Sequence, residues 1–495
     1  MSDFAPFSSL VTRRQVVKGA VRLAALGAGS TLVGGHVAPA AALPVRIESD
    51  VAGSDRERVA IIGAGAGGVM AAYFLAWTFD VDLFEARPKI GGHCDTHVID
   101  YQGQGVLVDV GAQFFHPDTH PIYVTLLELV GLYDPADPDG DETLAAPGSL
   151  CIFPAAGGPP VFSSSHPLAT PLRAIEFAVY SQLARHAVLS DLPWEITVDD
   201  WVAGLSVTQS FKDDVVYPWI TALIGCSSSD ALTASARSIL QTFALAFPAN
   251  ILEGATTYNS RIGLQGNLQR LLDLSPTVQV HLNAPTQALT LQDAGWFVQT
   301  PTGRHGPYTF VVLNAPPHAG RKLLAGLPAF AEVTALLDAY EYFDSRIVIH
   351  TDPAYVYPDP SDWAAYNAEI DDLQCEGSVW YGGLDPKLAS GAVIDVFKSW
   401  ALRRCSQPTQ ILLQRWFKHP LINQATIDAA SALRPLQGQG GLFFSGIYTN
   451  GFDSQESAVY SAMQLAESLA PDSPTLAALK ALLAARGLSG ISYSL

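Results

Sequence analysis

Basic residues are scarce in this chain. Lysine and arginine number 28 against 47 aspartates and glutamates, which leaves a formal net charge of −19 over 495 residues. No cationic surplus exists to displace phosphate counterions, so a nucleic-acid partner is excluded, and the acidic excess reads as a solubility feature. Cysteine is rare as well: Cys94, Cys151, Cys226, Cys375 and Cys405 are scattered and odd in number. No two have the short spacing of a zinc or dithiol motif, so neither a metal site nor a disulfide framework is expected. Beyond residue 40 no apolar run approaches the roughly 20 residues that a spanning helix needs, and no stable membrane span is expected there. What is plentiful is core-forming material: hydrophobic residues make up 48% and charged residues 15%. That composition excludes a disordered chain, and the length calls for two or three interleaved domains.

The first 42 residues read as an address. Thr12-Arg13-Arg14-Gln15-Val16-Val17-Lys18 precedes an Ala/Gly-rich apolar stretch from Ala20 to Val37, and Ala38-Pro39-Ala40 follows with small residues at cleavage-type spacing. The pattern resembles a twin-arginine export signal, and a periplasmic or secreted location is expected from it. Arg22 and the glycines weaken the same stretch as a membrane anchor.

The chemistry begins at Arg58-Val59-Ala60-Ile61-Ile62, an apolar run of the kind that forms a buried parallel strand. Gly63-Ala64-Gly65-Ala66-Gly67-Gly68 comes next, and then a helix-forming stretch from Val69. In such a turn Gly63 permits the tight bend, Gly65 lets the backbone approach a pyrophosphate, and Gly68 lets helix and strand pack closely; Gly67 lies in the same turn. The helix N-terminus adds free N–H groups and a positive dipole end. A second strand, Val81 to Phe84, ends on Glu85, about 20 residues downstream, where an acid holds a ribose hydroxyl.

Glu85-Ala86-Arg87-Pro88-Lys89-Ile90-Gly91-Gly92-His93-Cys94-Asp95-Thr96 resembles the FAD-wrapping segment of the flavin-containing amine oxidase and phytoene desaturase superfamily. There the stretch reads Glu, several residues, then Gly-Gly-Arg-x-x-Thr, and the arginine contacts the cofactor. Here His93 stands in its place, which removes a permanent charge and a bidentate fork. Gly-Gly-His is similar to a branch that includes lipid-associated oxidoreductases and fatty-acid double-bond isomerases. Asp109-Val110-Gly111-Ala112-Gln113 resembles the family segment beside the isoalloxazine. The resemblance extends to Gly263–Leu268, to the strand around Val280 (placed near the adenine), to Phe310–Pro317 and to Gly441–Gly446. After that last strand a helix is predicted with Asp453 or Ser454 as N-cap, so that Ser454, Gln455, Glu456 and Ser457 would meet the flavin pyrimidine edge.

The resemblance thus implies an α/β Rossmann-type FAD-binding domain (56–115, 256–320 and 433–470) interleaved with an α+β, amine-oxidase-like substrate-binding domain (116–255 and 321–432). A C-terminal helix or tail would occupy 471–495. FAD is the implied cofactor. Cofactor-binding residues are expected at Gly63, Gly65, Gly67, Gly68, Glu85, Ala86, Gly91, Gly92, His93, Gly111, Ala112, Gln113, Val280, Gly446 and Ser454 to Ser457. Many amine oxidases carry a lysine on the first strand of the substrate sheet, bonded through water to flavin N5. Ser345 or Arg346 falls at that place, and neither Lys322 nor Lys398 is expected to reach it. Tyr448 and Phe452 are the candidates for an aromatic pair at the flavin face. Tyr448, His350 and Gln113 are the candidate polar groups of the pocket. The implied reaction is hydride transfer from a small, largely apolar organic substrate, with oxygen or another acceptor reoxidising the flavin. Desaturation of a C–C bond, isomerisation of an unsaturated lipid, and amine oxidation are the readings carried forward, beside a flavin-binding protein without turnover.

Overall fold

A computed structural model describes residues 56–250, 253–384, 391–493 and 495. The twin-arginine segment lies outside the described residues. At the centre is a five-stranded, all-parallel sheet in the order Val278–His281, Asp80–Phe84, Arg58–Ile62, Phe310–Leu313, Leu442–Phe444. Each central strand is a short run of buried apolar residues, the pattern required when both faces of a parallel sheet are covered. Helix Ala66–Leu75 follows the first strand and is buried along nine of its ten residues. Helix Gln455–Leu469 packs against it and brings the C-terminal part of the chain back to the glycine turn.

A second layer is a seven-stranded sheet in the order Ile411–Pro420, Tyr342–His350, Phe397–Trp400, Gln374–Trp380, Tyr366–Asp371, Leu150–Pro154, Phe162–Ser163. Only the pair Tyr366–Asp371 with Leu150–Pro154 is parallel. Helices Pro171–Leu189, Tyr217–Ile224 and Ala236–Phe243 contribute Tyr180, Trp219, Ile220 and Ile239 to the core on this sheet. The strand that opens at Phe397 bears on the site. Ile394 to Val396 invite a strand by their apolar side chains, yet they pack in a loop against Tyr381, and the strand opens at Phe397. Lys398 is thereby moved from beyond a strand into its middle.

The C-terminal helix Pro474–Ala485 docks on the body of the chain: Leu476, Leu479 and Leu483 join the core under the glycine helix. Ser473 fastens its start by donating to the Phe74 carbonyl at 2.6 Å. Among the described residues no helix is long and apolar enough to cross a membrane.

Candidate active site

One cavity of about 1360 Å³ runs from the glycine turn, between the two sheets, into the helices over the larger sheet. Its first end is a cradle that excludes side chains for two separate reasons. Gly63 bends the chain at φ +105°, and a Cβ on Gly68 would lie 2.0 Å from the Gly63 carbonyl oxygen, so these glycines serve the turn and the helix–strand contact. Gly67 is confined similarly, by Asn314 Oδ1 at 2.7 Å and Gly446 Cα at 3.0 Å from the Cβ it lacks. Gly65 is different. It has ordinary dihedrals (φ −69°, ψ 178°), and the nearest protein atom to an added Cβ is Asn314 Nδ2 at 3.8 Å. Nothing in the protein requires glycine there, but Gly65 lines the cavity at the N-terminus of Ala66–Leu75, where a pyrophosphate would sit.

Glu85 stands at the same end. Its Oε2 accepts the Ala64 N–H and its Oε1 the Arg87 N–H, both at 2.9 Å. A carboxylate has about four lone-pair positions, so two remain, which suits a ribose diol. Asn314 clips the turn by donating to the Gly63 carbonyl at 3.0 Å, while its buried Oδ1 finds no partner among the described residues. An orphaned buried acceptor beside the cradle is what a donating hydroxyl of a bound dinucleotide would satisfy. The residues present therefore fit FAD.

Most of the remaining cofactor residues named from sequence line this cavity: Ala86, Gly91, Gly92, His93, Gly111, Ala112, Gln113, Gly446, Ser454 and Gln455. Four do not. Gly68 is buried in the turn, as described. Val280 packs into the core from the edge strand, and the cavity wall beyond Glu85 is made instead by Ala284 to Gln287. Glu456 and Ser457 face inward. The Glu456 carboxylate accepts the Ile122 and Tyr123 N–H groups at 3.0 and 2.9 Å and the Tyr493 hydroxyl at 2.8 Å. It thus caps helix Pro121–Leu129 and ties down the C-terminus. Burial raises its pKa to about 7 even though the three donors hold it down. Glu456→Ala leaves three buried donors unpaired, at about 1–3 kcal/mol each. Chemical denaturation of this variant should show a loss of at least about 3 kcal/mol, and a loss under about 1 kcal/mol would contradict the capping role.

The substrate-side residues sort differently. Gln113 lines the cavity. Tyr448 does too, but its hydroxyl is spent on the Leu313 carbonyl at 2.5 Å, so it presents ring rather than acid. Phe452 is fully buried beside Tyr493 and forms no aromatic pair with Tyr448 at the cavity. His350 lies away from the cavity lining, stacked on Phe397 and bonded to Ser399 Oγ at 2.8 Å. Phe177 and Trp219 reach the cavity, while Tyr180 and Trp201 pack in the core beside it.

Lys398 is the residue that sequence reasoning missed. It sits between Ile349 and Val379 across the sheet, 1% exposed, and it lines the cavity. Its Nζ donates to the Gly111 carbonyl at 2.5 Å and to Gln113 Oε1 at 3.1 Å, which places the amine against the segment that resembles the isoalloxazine-facing one. Burial lowers its proton affinity to about 7, against the attraction of Asp109. Asp109 itself is raised to about 6 by burial and is anchored by Thr96 Oγ1 at 2.5 Å and the Leu264 N–H at 3.3 Å. A cavity-lining amine that titrates near neutrality is a usable proton carrier.

Three further polar groups share the wall beside Gly92. His419 and Asp453 are joined at 3.1 Å, and His93 lies with its ring 4.7 Å from that of His419. Their nitrogen and oxygen ligand atoms all lie within 4.8 Å of one another. The cavity's far lobe is aromatic: Phe162, Phe177, Trp219, Phe243, Phe247 and Tyr366 line it, with Phe162 and Phe177 stacked at 4.4 Å.

Comparison with known proteins agrees with this geometry. Residues 61–128 match the family model of the NAD(P)-binding Rossmann-like domain. The chain is similar to tryptophan 2-monooxygenase of Pseudomonas savastanoi, 38% identical over 79 residues, which is 16% of this chain and 14% of that protein's length. Among solved structures it is similar to a fatty acid isomerase from P. acnes that produces CLA (TM-score 0.60, 14% identity, covering 85% of this chain and 100% of that one). It is likewise similar to putrescine oxidase bound to putrescine (TM-score 0.55, 15% identity, covering 84% and 99%). At such identities the structural likeness speaks for the fold. Together with the glycine cradle and Glu85, it shows a Rossmann-like dinucleotide-binding fold that this chain shares with those structures.

Proposed function

We propose that this protein dehydrogenates a largely apolar substrate, forming a C–C double bond. The observation that carries the reading is the juxtaposition of Lys398 with an aromatic lobe in one continuous cavity. FAD, when bound, accepts the hydride from one substrate carbon. The neighbouring carbon must lose a proton for the double bond to form, and Lys398 Nζ is the group placed to take it. Gly111 and Gln113 hold that amine in position. Phe162, Phe177, Trp219 and Phe243 exclude water and bind hydrocarbon.

A second reading keeps the same lobe and returns the hydride to another carbon, which makes the reaction an isomerisation of an unsaturated fatty acid. The likeness to the P. acnes fatty acid isomerase favours it. Amine oxidation is supported by Lys398, which restores a lysine to the cavity, and opposed by the missing aromatic pair at Tyr448 and Phe452. The deciding experiment is the visible spectrum of the purified protein, followed anaerobically while unsaturated fatty acids, terpenoids and amines are added. Flavin bands that bleach with an apolar compound, with a new double bond in the product, are expected. Product of unchanged mass and shifted double bond would select the isomerase, bleaching by amines alone would select amine oxidation, and folded protein that takes up no flavin would sink the reading.

A further inference from the structure

The family's cofactor-contacting arginine is replaced here by His93, and the structure shows what surrounds the replacement. Three distant segments meet: His93 after Gly92, His419 near the end of strand Ile411–Pro420, and Asp453 immediately before the N-cap Ser454 of helix Gln455–Leu469. All three line the cavity, beside the cradle that Gly65 and Gly92 form. The His419 Nδ1 is held by Asp453, whereas the His93 imidazole makes no hydrogen bond among the described residues; its backbone carbonyl accepts the Ala112 N–H at 2.9 Å. Its ring is fixed by edge contact with Phe417 at 5.1 Å and by His419. Such an imidazole is oriented, half-buried and without a side-chain hydrogen bond, and it faces the space a dianionic cofactor would enter.

We propose that His93, His419 and Asp453 form a proton-accepting site for the cofactor, so that the protein takes up one proton on this cluster when FAD binds. The inference rests on the FAD reading and adds to it a role for two residues that no motif marks. Its electrostatics follow from the groups that face His93. Arg87 and Asp95 do so from its own turn, His419 from the strand and Asp453 from the helix start; the Tyr342 phenol faces Asp453 from the adjoining strand. Without cofactor, burial and the neighbouring His419 lower His93 to about 4, so it is neutral at pH 6, while His419 holds Asp453 in its ionised form. Two pyrophosphate charges then enter a wall that already holds a carboxylate and lacks the usual guanidinium. An anion about 4 Å away raises the proton affinity of a partly screened imidazole about a thousandfold, enough to carry His93 from about 4 to about 7. Bound FAD should therefore leave His93 charged at pH 6 and about half charged near pH 7.

The test is calorimetric titration of FAD into FAD-free protein at pH 6, in two buffers of different ionisation enthalpy. Uptake of about one proton per FAD is expected, declining toward pH 8. His93→Gln should still bind FAD, more weakly, and should take up almost none. Should that variant misfold, Asp453→Asn serves instead, because removal of the carboxylate must shift the uptake to lower pH. FAD that binds with the same enthalpy in both buffers would overturn the proposal, as would unchanged uptake in His93→Gln or Asp453→Asn. Folded protein that binds no FAD overturns the cofactor reading itself, an outcome distinct from binding without a proton.

Discussion

Gly65→Val protein should purify folded and colourless. A Cβ at this position meets no protein atom closer than Asn314 Nδ2 at 3.8 Å, an ordinary contact, and φ −69° with ψ 178° is ordinary extended backbone. The variant forgoes only a mild N-cap preference at the start of helix Ala66–Leu75, worth a few tenths to about 1 kcal/mol. Its FAD-free melting temperature should therefore lie within a few degrees of the parent. The cofactor is affected far more, because two methyl groups would occupy the volume in which backbone N–H groups meet the pyrophosphate. We expect FAD affinity to fall about a thousandfold or more, which corresponds to about 4 kcal/mol. Gly68→Val makes the contrast. Its Cβ would sit 2.0 Å from the Gly63 carbonyl oxygen, so the fold should fail along with the colour. The ratio of flavin to protein absorbance and a thermal melt of each variant separate the two cases. A yellow Gly65→Val protein would show that the cradle holds something other than a pyrophosphate.

The contrast between those glycines also shows how far the sequence could be read. Spacing alone marked Gly63, Gly65 and Gly68 because a strand, a tight turn and a helix need them in that order, and Glu85 followed from the length of one β–α–β unit. Helix rotation limited the next step. Successive residues turn by about 100°, so Ser454, Gln455 and Ala458 reach the cavity while Glu456 and Ser457, between them, point into the core. A motif written as a run of four could not separate these faces. Val280 failed because a strand position was carried over where the chain uses the loop after the strand, Ala284 to Gln287. Lys398 failed because Ile394 to Val396 have strand composition but loop geometry, and only the pairing of Lys398 with Ile349 and Val379 shows where the amine goes. His419 carries no local signal, and Asp453 was legible only as a candidate N-cap. They become a unit only through a fold that joins residues 93, 419 and 453.

Lys398→Met should slow substrate-driven flavin bleaching about a hundredfold to ten-thousandfold, the range that a positioned general base contributes. The pH dependence gives the sharper test. The neutral amine is the form that accepts a proton, and burial sets its titration near 7, so bleaching in the parent should rise with pH and level off above about 7. The methionine variant should show no such limb. Stability should also depend on pH. Lys398 has a folded value of about 7 below its ordinary 10.5, so between those limits the unfolded chain binds the extra proton and the parent gains stability as pH rises. Methionine removes that dependence, and its advantage over lysine should therefore be greatest near pH 7 and fade toward pH 10. Lys398→Arg separates proton transfer from charge, since a guanidinium keeps its proton throughout this range. Arginine should be as slow as methionine if the amine accepts a proton. An arginine variant that keeps the parental rate would mean that position 398 acts through fixed positive charge, and the proton must then leave the substrate by another route.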